Sequence, residues 1–102
     1  MEIINTANFD EKIKDGLVLV DFFADWCGPC KMLAPVIEKL SNEFADKLTV
    51  YKVNVDDDPD LARKFGIVSI PSLFLFKDGK AINQTMGFQN IDALKKFVES
   101  GL

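Results

Sequence analysis

Apolar and polar residues alternate in blocks along this chain, and the period of each block predicts its local structure. Residues 17–24, "LVLVDFFA", are apolar on both alternating faces except at Asp21. That pattern predicts a central strand covered on both sides. Residues 48–55, "LTVYKVNV", predict a second central strand with one polar intruder, Lys52. Between them, Leu33, Val36, Ile37, Leu40 and Phe44 recur at helical spacing, so a helix of about four turns should begin near residue 27 and bend at Pro35. "EII" near the start reads as a short edge strand.

Shorter segments carry start and stop signals. In "NFDEKIKDG", Asn8 is expected to cap a short helix, with Glu11 completing a capping box and Gly16 ending it. In "DDDPDLARKFG", Asp58 should cap, Pro59 should take the first turn and Gly66 should stop the helix. "SLFLFKDGKAINQTM" predicts a hairpin, because Asp78-Gly79 suits a two-residue primed turn. Asn90 then caps a last helix that buries Ile91, Leu94, Phe97 and Val98. Strand–helix alternation followed by a hairpin implies an α/β fold, a mixed sheet between helices.

Composition narrows the function classes. The 102 residues suffice for one domain, taken as residues 1–102, with one core. Net charge is −4, with no block of basic residues, which argues against nucleic acid or an anionic membrane as partner. The start, "MEIINTANFD", lacks a secretory pattern, and no apolar run could span a membrane. A cytoplasmic location, where thiols stay reduced, is expected.

Cys27 and Cys30 are the only cysteines, and there is no histidine. A bond between them would close a very small loop and stabilise the fold little. Their placement is more informative. Cys27 should sit past the C-terminal end of a central strand, where open α/β sheets build their sites, and at a helix N-terminus. Free amide N–H groups and the helix dipole favour a thiolate there, and the thiolate is the nucleophile of thiol–disulfide exchange. Cys27 is expected to be the exposed attacker. Cys30, nearly a turn deeper, is expected to resolve the mixed disulfide. Gly28 would let a substrate approach, and Pro29 would fix the first turn without wasting an N–H. Two other readings stand beside this one: half of a zinc site completed by a second chain, and two inert core cysteines. The acidic run at residues 56–60 lacks the glycine and closing glutamate of a calcium loop and reads as helix capping.

"DFFADWCGPCK", "SIPSLFLFKDGK" and the order of elements together resemble the thioredoxin family over essentially the whole chain. That resemblance implies a five-stranded mixed sheet with four helices. It also implies a protein-disulfide reductase, recharged by a thioredoxin reductase. A monomer that needs no bound cofactor or metal is expected. Asp21 corresponds to a buried acid that exchanges a proton with Cys30; alternatively it is solvated at the strand boundary. A buried carboxyl without a full charge partner should have a raised pKa. Lys52 either snorkels to the surface or lies near Asp21 and tunes it. The resemblance further implies a cis Ile70–Pro71 peptide facing the cysteines, with nearby backbone free to pair with a substrate strand. Trp26, Pro29, Ile70, Gly87 and Phe88 would border an apolar binding face around Cys27. Three positions depart from the family's pattern: Phe23 stands where Trp is common, Ser69 where Gly is frequent and Phe88 where a small residue is common. None is expected to touch the chemistry directly. A role as a binding module, independent of the thiols, is the alternative from a different class.

Overall fold

The computed structural model describes residues 1–102. Five strands, β1 (Glu2–Ile3), β2 (Leu17–Phe23), β3 (Thr49–Asn54), β4 (Ser72–Lys77) and β5 (Lys80–Met86), form one sheet in the order β1-β3-β2-β4-β5. β1, β3 and β2 run parallel, whereas β4 is antiparallel to both β2 and β5. Four helices, α1 (Phe9–Ile13), α2 (Gly28–Glu43), α3 (Pro59–Lys64) and α4 (Ile91–Glu99), complete the α/β arrangement. None of them is long and apolar enough to cross a membrane.

Strand β2 lies at the centre and is buried along its whole length. Its alternate residues feed two different cores. Leu17 and Leu19 pack with Leu33, Ile37 and Leu40 of α2 and Leu94 and Val98 of α4. Val18, Val20 and Phe22 pack on the opposite side with Phe9 of α1 and Leu61 of α3. That second core is phenylalanine-rich. Phe65 lies with its ring centroid 5.2–5.9 Å from those of Phe9, Phe22, Phe74 and Phe76, separations suited to tilted and edge-to-face contact. The α2 helix runs unbroken through Pro35.

The hairpin turn forms as the sequence suggests, with φ of 49° at Asp78 and 86° at Gly79, the left-handed pair that a type I′ turn needs. Asn90 caps α4 by accepting the Ala93 N–H at 2.9 Å.

Two expected caps are not made. Asn8 caps nothing in α1. Its carboxamide instead accepts the Asn5 N–H at 2.9 Å, and Asn5 accepts the Asn8 N–H in return. Glu11 pairs with Lys14, so there is no capping box. Asp58 makes no cap hydrogen bond to α3. Its Oδ1 accepts the Thr6 N–H at 3.0 Å and the Thr6 hydroxyl at 2.9 Å. In both cases a short polar side chain bonds a competing backbone donor, Asn8 within its own turn and Asp58 in the loop before α1. We expect Asp58→Ala to cost about 1 kcal/mol, typical of such bonds. Urea unfolding of the single and double variants with Thr6→Ala should show non-additive losses. Additive losses would mean that the bond from the Thr6 hydroxyl to Asp58 contributes nothing to stability.

Candidate functional site

The site is built where β2 ends and α2 begins. Cys27 is the N-cap of α2, in extended conformation, and its sulfur accepts the Cys30 N–H at 3.2 Å. An ordinary N-cap offers an oxygen to this orphan donor; here the acceptor is sulfur. Pro29 occupies the first turn without losing a needed N–H. A Cβ added at Gly28 would meet no atom within 4 Å, so the approach over this residue is open. Cys27 and Cys30 are joined in a disulfide, with Cα atoms 5.2 Å apart. The pair therefore bonds within the chain, as neither a shared zinc site nor two inert thiols would.

One expectation about the pair needs correction. Cys27 is no more exposed than Cys30; each has 4% of its surface accessible. Phe23 and Ala24 pack with both cysteines, and Ile70 closes over them. Phe23 shares the buried cluster that holds the reactive pair. What separates the two cysteines is position on the helix: only Cys27 collects the amide at the helix start.

The loop before β4 supplies the facing wall. The Ile70–Pro71 peptide is cis, and the Ile70 carbonyl oxygen lies 3.8 Å from Cys27 Sγ. The Ile70 N–H donates to no protein group. Gly87, at φ 86°, donates its N–H to the Pro71 carbonyl at 2.8 Å and ties the segment after β5 to this loop. Phe88 and Trp26 are exposed, Trp26 at 70%. The Trp26 indole N–H is held by Asp56 Oδ2 at 2.8 Å. Asp56 is positioned in turn by its own N–H, which donates to Asn54 Oδ1 at 2.9 Å. Sequence reasoning missed both Asp56 and Asn54. The acidic run looked like helix capping, but only Asp60 stands in the first turn of α3. Asn54, a buried amide at the end of an apolar strand, was the signal available.

Asp21 is buried to 1% exposure, and neither carboxylate oxygen has a hydrogen-bond partner. Strand alternation puts it on the face of β2 shared by Leu19 and Phe23, beneath α2. Burial raises its pKa from 3.8 to about 6, partly offset by the positive charge of Lys52. Lys52 is the register partner of Asp21 on β3. It forms no ion pair with Asp21 within 4.0 Å. Its ammonium instead lies 4.2 Å from the Phe23 ring centroid, within cation–π range. Lys52 and Cys30 line the same hollow of about 150 Å³.

A sequence model of the thioredoxin family matches residues 1–100. The chain belongs to the thioredoxin family. It is 44% identical over 99 residues to a thioredoxin of Staphylococcus saprophyticus, covering 97% of this chain and 95% of that protein. It is 48% identical over 98 residues to a thioredoxin of Chlamydia muridarum, covering 96% and 95%. With its Cys-Gly-Pro-Cys pair closed as a disulfide, this member is a thiol–disulfide oxidoreductase.

Proposed function

We propose that the chain reduces protein disulfides, with Cys27 as nucleophile and Cys30 as resolving thiol. The observation that carries this reading is the Cys30 N–H directed at the Cys27 sulfur, at the start of α2. In the reduced protein the same donor and the helix terminus favour a Cys27 thiolate. That thiolate attacks one sulfur of a substrate disulfide, and the other substrate sulfur leaves as a thiolate that takes a proton. Cys30 then loses its proton and attacks Cys27 Sγ. The second substrate thiol departs, and two electrons have passed to the substrate. The chain is left as the Cys27–Cys30 disulfide, which a thioredoxin reductase converts back to the dithiol.

Asp21 is the proposed proton acceptor for Cys30. It has no hydrogen bond to either sulfur, so a bridging water would carry the proton. Lys52 tunes the acid through its charge. The substrate strand would pair with the free Ile70 N–H, and Trp26, Gly28, Pro29, Pro71, Gly87 and Phe88 would frame it. The protein works as a monomer, as one domain spanning residues 1–102, in a reducing compartment such as the cytoplasm.

Reduction of a model protein disulfide with dithiothreitol, or with a thioredoxin reductase, as donor tests this reading. The protein should accelerate the reaction well beyond the donor alone, and the Cys27→Ser/Cys30→Ser double variant should not. No acceleration by the wild-type protein would overturn the proposal. Full biological activity of the double variant would favour a binding module instead.

A further inference from the structure

Beyond the cysteine pair, the surface next to Ile70 carries two adjoining hollows. The nearer one, about 180 Å³, lies between Trp26 and Ile70. The farther one, about 330 Å³, lies between the segment after α3 and the end of β5, with Phe65, Phe74, Gln84 and Met86 among its lining. The two share Ile67 and Val68. Val68 is therefore a ridge between them, and it stands 90% exposed. Met86, 56% exposed, lies on the far side.

Three features of the farther hollow define what could enter it. None of its nine lining residues is charged, in a chain with 27% charged residues; a neutral occupant is favoured. Phe65 and Phe74 belong to the phenylalanine-rich core, so the hollow opens onto an apolar floor. Met86 supplies a flexible, polarizable thioether of the kind used on surfaces that accept varied partners. Its sulfur is steadied by the Ser69 hydroxyl at 3.1 Å, which couples this wall to the loop carrying Ile70. Ser69 and Met86 thus give a structural purpose to one of the family departures. Exposed apolar surface continuous with a reactive centre that acts on proteins marks a place for polypeptide contact.

We propose that the hollow between Val68 and Met86 is a side-chain subsite for protein substrates. It takes an apolar side chain of leucine size a few residues from the substrate cysteine. The substrate segment crosses the Val68 ridge from Cys27, and Val68 and Met86 determine specificity. This inference rests on the thiol–disulfide exchange proposed above.

The test uses ten-residue peptides, each carrying one cysteine as a mixed disulfide with glutathione. Leu or Ala is placed in turn at each neighbouring position, and the rate of reaction with the reduced protein is measured. Leu at one position on one side of the cysteine should react about tenfold faster than Ala there, as expected for a few methylenes in an apolar pocket. In Val68→Asp and in Met86→Glu this Leu/Ala ratio should fall towards one. Both side chains stand largely outside the core, so these variants retain the fold. A flat Leu/Ala profile with normal reaction of the Ala peptides would overturn the subsite alone, as would a preference undiminished in both variants. Failure of every peptide to react would overturn the exchange reading and the subsite with it.

Discussion

Cys30→Ser is expected to change the protein from a turnover reductase into a covalent trap. Cys27 can still attack a substrate disulfide, because the backbone N–H that faces its sulfur comes from residue 30 whatever its side chain. What is lost is the second attack. In the native chain the resolving thiol sits one helical turn from Cys27, with Cα atoms 5.2 Å apart. Well-oriented intramolecular groups reach effective concentrations on the order of 10⁵ M or more. An external thiol at millimolar concentration cannot match that, so turnover should fall at least about a thousandfold. Protein adducts should accumulate on Cys27, resolvable by excess dithiothreitol and detectable as mass shifts under non-reducing conditions. Cys27→Ser should be equally inactive but should form almost no adducts. Adducts on Cys27→Ser and not on Cys30→Ser would reverse the assignment of attacker and resolver.

The contrast between these variants matters because accessibility does not separate the two sulfurs. Its place first at the helix start predicts an exposed Cys27. The packing of both cysteines is set by Phe23, Ala24 and Ile70, and Ile70 comes from a loop about forty residues away. No local pattern encodes that contact. Asp56 and Trp26, thirty residues apart, escaped for the same reason, and so did Asp58 with Thr6, fifty-two apart. Features set within a few residues were legible: the β2 run, the Asp78-Gly79 turn, the Asn90 cap and the cysteines at the head of α2. Asp21 belongs with these, because a single acid in a run buried on both faces conflicts with its surroundings in the sequence itself. The cis Ile70–Pro71 peptide came only from the family resemblance; Pro before a strand has many ordinary uses.

Asp21→Asn is expected to stabilise the fold while slowing catalysis. In the unfolded chain the carboxyl titrates near 3.8, and in the native fold near 6. Between these values the native state holds the proton and the unfolded state does not, so stability falls as pH rises through this window. Above pH 6 the full cost applies, about 3 kcal/mol from the size of the rise. Replacing the carboxyl with an amide removes this cost at neutral pH. The stability difference between Asp21→Asn and wild type should therefore be largest above pH 6, shrink between pH 6 and 4, and level off below. Urea unfolding across pH 3.5–8 measures it. A difference independent of pH would show that Asp21 is not a buried titrating acid. The kinetic effect should fall on one step. With no acceptor beneath α2, Cys30 must release its proton to solvent, and general-base assistance is worth about a hundredfold or more. Resolution of the mixed disulfide should slow by that order, while the first attack by Cys27 changes little. Stopped-flow tryptophan fluorescence can separate the two phases, because Trp26, the only tryptophan, adjoins Cys27. Equal slowing of both phases would assign Asp21 to the electrostatics of the whole site and not to proton transfer at Cys30.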